Sequence, residues 1–160
     1  MSLPMAPRGF TLIELLVTLA IMATLAMVAL PLTQVAAQRS REDELRRALW
    51  QIRDAIDAYK AATDEGRVDK SVDDSGYPPT LDVLVEGAVD KGSAGGARIY
   101  FLRRIPRDPT CDCPSRGDAQ TWGLRSYASP PDSPGEGLDV YDVYSRSEGA
   151  ALDGTAYRTW

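Results

Sequence analysis

Histidine is absent from the 160 residues of this chain. Its absence removes the usual general base near neutral pH, the Ser-His-Asp arrangement and the commonest zinc and iron ligand together. Cysteine is nearly absent. Only Cys111 and Cys113 occur, one residue apart, closer than the C-x-x-C pairs of metal sites and with no second pair elsewhere. A bridge between them would close a very small ring, so the spacing favours two free thiols in a loop. An excess of positive charge is missing too. The 18 Lys and Arg are interleaved with 23 Asp and Glu, the net charge is −5, and no basic face stands out for nucleic-acid phosphates. Gly95-Gly96 has no predicted strand before it and no Lys-Ser/Thr after it, so it reads as a loop rather than a phosphate cradle. No nucleophile–base spacing is recognisable, although a serine and a lysine could still meet in space. These absences count against an enzyme.

What the chain has is a long apolar run. Residues 10–32 carry one ionisable side chain, Glu14. As a helix this run is roughly 35 Å long, enough to cross a hydrocarbon core about 30 Å thick. Before it lie Pro4, Pro7 and Arg8, a leader with the look of an address. One reading makes the run a secretory signal cut after Val35-Ala36-Ala37, leaving Gln38 as the first residue. Against that reading, the run exceeds the roughly 7–15 residues of such a signal, and Glu14 sits near its start.

The other reading comes from the motif itself. Gly9-Phe10-Thr11-Leu12-Ile13-Glu14-Leu15-Leu16-Val17 resembles the processing and assembly signature of type IV pilins and type II secretion pseudopilins. The resemblance implies that a prepilin peptidase cuts after Gly9 and methylates the new Phe10 amine. Glu14 becomes the fifth residue and pairs with the Phe10 amine of a neighbouring subunit. Pro31 falls where the family also carries a proline. An unpaired carboxylate in lipid costs at least about 2–3 kcal/mol, so such pairing would drive and register assembly; the alternative is a Glu14 that simply stays protonated. Pro31 either kinks a continuing helix or stops it.

Helical periodicity resumes beyond Pro31. Leu45, Leu49, Ile52, Ile56 and Tyr59 form one apolar stripe, with Arg46, Arg47, Arg53, Asp54 and Asp57 off it. The stripe suits a domain core, although two heptads of a coiled-coil seam would look alike. Gly66 after Asp64-Glu65 is a natural stop, so the helix is expected from Phe10 to about Asp64, about 80 Å long. The positive-inside rule weighs Arg8 against Arg39, Arg41, Arg46 and Arg47 and would keep the following domain in the cytoplasm. The resemblance implies export, and Glu42, Asp43 and Glu44 dilute that basic cluster.

Residues 67–97 are polar, with a turn at Ser75-Gly76-Tyr77-Pro78-Pro79 and a short helix that Thr80 is expected to cap. The block 76–109, ending Leu102-Arg103-Arg104-Ile105-Pro106-Arg107-Asp108-Pro109, is similar to the major pseudopilin. Arg103, Arg104 and Arg107 read as a solvated or subunit-facing patch. Residues 122–129 and 140–145 predict two antiparallel strands joined by a proline-glycine loop, with Leu124 and Ala128 on the inward face. The tail resembles the pseudopilin loop that binds calcium, with Glu148 and Asp153 as candidate acids, and Ca2+ is the one cofactor implied. Gly149 and Asp153-Gly154 would equally suit turns without a metal.

The expected fold is α+β: a pilin fold whose long N-terminal α-helix, transmembrane in its first half, packs against a small antiparallel β-sheet domain. The expected divisions are a leader over 1–9, an assembly half over 10–32, an amphipathic half over 33–64 and a globular domain over 65–160. The resemblance implies a structural subunit, the major pseudopilin of a type II secretion system, forming a homo-oligomeric helical fibre with minor pseudopilins and an inner-membrane assembly platform. It implies a single pass through the bacterial inner membrane, the N-terminus cytoplasmic and the domain periplasmic. A type IV or minor pilin, and a membrane-anchored periplasmic binding module or enzyme, are the alternatives.

Overall fold

The computed structural model describes residues 9–160, apart from the side chains of 28–31. The leader over 1–8, with Arg8, and the side chain of Pro31 lie outside the described residues. Helix α1 spans Leu12–Asp64. It begins where the sequence first offers a capping residue. The Thr11 hydroxyl accepts the Glu14 amide at 3.3 Å and the Thr11 carbonyl accepts the Leu15 amide at 3.2 Å. This satisfies early amides that have no partner inside the helix. It ends in a Schellman turn: the amide of Arg67 donates to the Ala62 carbonyl and that of Gly66 to Thr63. Gly66 takes φ +74°, a conformation open to glycine at little cost.

The chain divides into two compact units, Met1–Gln38 and Arg39–Trp160. In the first, every side chain described from Phe10 to Met27 is exposed. Its hydroxyls stay within the helix, Thr18 donating to the Leu15 carbonyl at 2.9 Å and Thr24 to Ile21 at 2.8 Å. α1 is long and apolar enough here to cross a membrane.

In the second unit the stripe of α1 is the floor of the core. Leu45, Leu49, Ile52, Ile56 and Tyr59 are all buried, joined by Ala48, Ala55 and Ala62. Against them pack Leu81 and Leu84 from the α2 region, Leu102 and Ile105 from the following segment, and Trp122, Val140 and Val143. α2 covers Asp82–Glu86. Two short antiparallel pairs complete the unit: β1 (Ala88–Val89) with β2 (Arg98–Ile99), and β3 (Trp122–Arg125) with β4 (Asp142–Ser145). The result is the expected α+β arrangement of a long N-terminal helix and small antiparallel sheets.

Within β3–β4 the register pairs Trp122 with Ser145, Gly123 with Tyr144, Leu124 with Val143 and Arg125 with Asp142. Trp122 is fully buried, and its indole N–H donates to the Pro106 carbonyl at 2.8 Å. Gly123 is required by close approach, because a Cβ there would lie 2.3 Å from the Tyr144 ring.

Several local expectations need correction. Leu81, not Thr80, occupies the N-cap of α2, and no side-chain cap forms. Leu81 is needed in the core, and burying it sets where the helix starts. Strand β3 stops at Arg125, so Ala128 lies exposed in a turn instead of facing inward. The pair β1–β2 flanks Gly95-Gly96, the loop expected to have no strand before it; two-residue strands leave no periodic signal. Cys111 and Cys113 are bridged, with Cα atoms 5.4 Å apart, inside the span a disulfide accepts. Arg103 and Arg104 are exposed as expected, but Arg107 is turned into its own chain. It donates to the carbonyls of Arg116, at 2.9 Å, and Cys113, and pairs with Asp118 at 3.5 Å.

Because the stripe carries the core, Ile52→Ala is expected to lower stability by about 2–5 kcal/mol. The exposed Asp54→Ala, one turn face away, should stay within about 0.5 kcal/mol of the parent. Urea unfolding of the detergent-solubilised chain, followed by tryptophan fluorescence, compares the two.

Candidate functional site

Two regions carry the residues singled out from the sequence: the start of α1 and the carboxy-terminal tail. At the start, Gly9 and Phe10 precede the helix, and Phe10 is 78 % exposed. Thr11 and Glu14 stand at the spacing of a capping box, T-x-x-E, so the backbone amide of Glu14 is already satisfied locally. Its carboxylate has no side-chain partner among the described residues and is exposed on an otherwise apolar surface. Thr11 was missed as a functional residue, although its spacing from Glu14 was there to be read. The local consequence is a helix that starts at a fixed residue, which fixes where along it the acid lies.

The tail is tied to α1 by charged side chains. Glu42, weighed in the sequence only as an acid diluting a basic cluster, is 5 % exposed. Its Oε1 accepts the Leu152 amide at 2.9 Å and the Tyr157 hydroxyl at 3.1 Å. Arg46 lies over the Trp160 ring at 4.2 Å. Arg53 donates to Asp142 Oδ1 at 2.8 Å, to the Val143 carbonyl at 3.1 Å and to the Trp160 carbonyl at 2.8 Å. One guanidinium therefore joins α1, β4 and the tail. The Trp160 indole N–H closes the loop on the Thr155 hydroxyl at 2.8 Å. A signal for Glu42 existed: it falls three residues before Leu45, continuing the spacing of the stripe.

Glu148 and Asp153 line different cavities, Glu148 one with Arg125, Arg146 and Arg158, and Asp153 another with Arg46, Leu49 and Trp50. Asp153 Oδ1 accepts the Thr155 amide at 2.9 Å and the Thr155 hydroxyl at 2.7 Å. Those two donors hold the Asp153 carboxyl below the usual carboxylate range. Among the described residues no three His, Cys, Asp or Glu side chains gather as a metal would need. The side chains alone do not supply the six to eight oxygens of a calcium shell.

A buried polar group that the sequence reading passed over is Asp108, 1 % exposed. Its carboxylate accepts the Thr110 amide at 2.8 Å, the Thr110 hydroxyl at 2.6 Å and the Ser145 hydroxyl at 2.6 Å. Ser145 is itself fully buried, so the pair reaches no substrate. Its geometry braces the segment before the disulfide against β4.

The exposed apolar helix with a capped start and a single acid defines a class before any individual relative. Residues 5–30 match the family described as the prokaryotic N-terminal methylation motif, so the amino terminus is of the prepilin type. The chain is 28 % identical over 106 residues to type II secretion system core protein G of Klebsiella pneumoniae, covering 64 % of this chain and 68 % of that protein. It is equally similar to the protein of the same name from Klebsiella michiganensis, covering 64 % and 67 %. No solved structure matches.

Glu42→Ala would remove the acceptor that the part-buried Leu152 amide and the buried Tyr157 hydroxyl share, a loss of about 1–3 kcal/mol. Faster hydrogen exchange at Leu152 and faster proteolysis of residues 150–160 are expected, with Glu42→Gln much closer to the parent because its carbonyl still accepts.

Proposed function

We propose that this chain is the major pseudopilin of a type II secretion system, a structural subunit without catalytic activity that assembles into a fibre aiding export of folded proteins across the outer membrane. The observation that carries this reading is the Gly9-Phe10 and Glu14 motif within residues 5–30, together with similarity over 106 residues, far more than the motif itself spans. In the mechanism we infer, a prepilin peptidase cuts after Gly9 and methylates Phe10. The α-amine of one subunit then compensates the Glu14 carboxylate of the next. Separated in lipid, each charge is costly; stacked, they offset each other and set the helix register. The apolar surface of 10–32 leaves lipid for other helices, and minor pseudopilins and an inner-membrane platform are the further partners. The domain faces the periplasm and the N-terminus the cytoplasm, against the charge count around the helix.

Mass spectrometry of the amino terminus tests the processing: a chain beginning with N-methylated Phe10 is expected, whereas one beginning at Gln38 would make it an ordinary secreted domain. Glu14→Leu should stay in the membrane yet assemble poorly, by an order of magnitude or more in a sheared-fibre assay. Wild-type fibre from that variant overturns the charge-pairing mechanism. A reporter after Trp160 reads the orientation. A type IV or minor pilin is the neighbouring reading. Bridged cysteines one residue apart count against it, since many pilins carry a widely spaced pair near the carboxy terminus.

Calcium in the tail is a proposal carried by the resemblance. Asp153 is the acid in the loop, Glu148 lies on another cavity, and backbone carbonyls would have to supply the remaining oxygens. A melting temperature that rises with calcium in the parent and not in Asp153→Ala supports the site. Identical curves with calcium and with chelator remove it.

A further inference from the structure

The cysteine bridge lies outside the assembly mechanism, and three observations set it apart from a structural staple. First, Cys111 and Cys113 are separated by two positions. A disulfide restrains the unfolded chain in proportion to the loop it closes, so this one contributes near the minimum. Second, neither cysteine belongs to the hydrophobic core. Both are half-buried at the surface, with the exposed Asp112 between them and the exposed Pro114 and Ser115 after them. Third, Arg107 is held beside one sulfur only. Its guanidinium is fixed by the Arg116 and Cys113 carbonyls and by Asp118, and Nη2 lies 3.8 Å from Cys113 Sγ.

We propose that Cys111–Cys113 is a thiol–disulfide exchange site whose substrate is a protein dithiol, with Cys111 the sulfur attacked and Cys113 the leaving thiolate. A guanidinium next to a sulfur favours its thiolate, and the better-stabilised thiolate leaves faster. Arg107 touches Cys113, so the two sulfurs are chemically unequal. In the exchange, a thiolate of the reductant forms a bond to Cys111 Sγ. The Cys111–Cys113 bond breaks, and its electron pair stays on Cys113 Sγ beside Arg107. The second thiol of the reductant loses its proton and attacks its own sulfur in the mixed disulfide, releasing Cys111, which takes up a proton. Two electrons pass from the partner dithiol to this pair, leaving the partner as a disulfide. Run backwards, the same steps oxidise the pair. Arg107 is the positioning residue, fixed by the Cys113 and Arg116 carbonyls and by Asp118.

The full chain in detergent is equilibrated with graded ratios of dithiothreitol and its oxidised form, quenched with acid, alkylated and weighed. The pair is expected to reduce while tryptophan fluorescence and thermal melting still report a folded domain. In Arg107→Gln the midpoint should move toward oxidation, needing on the order of fivefold to tenfold more reductant, about what one unit of thiol pKa is worth. Arg107→Lys should recover most of that shift. Ultraviolet absorbance of the reduced chain near 240 nm should show a thiolate titrating at higher pH in Arg107→Gln than in the parent, a readout that a purely structural arginine would not move. Peptide mapping after limited glutathione treatment should find the mixed disulfide on Cys111. A bridge that opens only when the domain unfolds overturns the proposal. So does an Arg107→Gln protein that stays folded and titrates like the parent, or glutathione found on Cys113.

Discussion

Burial of a single helical stripe is the constraint on which the domain depends. Leu45, Leu49, Ile52 and Ile56 are at or near zero exposure, and the two-stranded pieces around them are too short to hold together alone. Each fully buried aliphatic side chain contributes about 1.5–3 kcal/mol, whereas four-residue strands contribute few ladder bonds. α1 therefore acts as the template and the sheets as its cover. The polar ties follow the same logic. Glu42 and Arg53 lie on or beside the stripe, and both reach residues near the carboxy terminus, over sequence separations above one hundred. Closing so long a loop costs entropy that only well-placed groups offset.

That dependence explains what could be read from the sequence. The apolar run, the stripe, the stop at Gly66 and the paired aromatic strands all express local periodicity or local turn chemistry, and each was legible. The residues that failed to announce themselves are those whose role is set by a distant partner. Glu42 keeps stripe spacing but is charged, and the distant Leu152 amide and Tyr157 hydroxyl help make its burial tolerable. Asp108 had no role of its own in the sequence, and its partner Ser145 lies 37 positions later. Arg107 was assigned to a surface patch, yet the carbonyls it meets lie in a loop with no regular structure to predict. Thr80 was a reasonable cap by residue type, and packing of Leu81 overruled it.

The start of α1 shows how a local rule and an assembly function can share residues. An N-cap accounts for Thr11 and for the amide of Glu14, but not for the Glu14 side chain. It does not explain why the acid stands on a surface whose only other polar side chains from Leu12 to Met27 are Thr18 and Thr24. A glutamine at that position could serve a capping box too, without a charge that costs several kcal/mol in hydrocarbon. The carboxylate is therefore the part of Glu14 that local structure leaves unexplained, and the proposed pairing with a neighbouring subunit's amine would give it a counter-charge. Capping adds a second element to that pairing. With the helix start fixed at Thr11, the acid sits at a set height along α1, and a charge can define register between two helices only if neither end can slide. The cap holds the acid in place, as the proposed pairing between subunits would need.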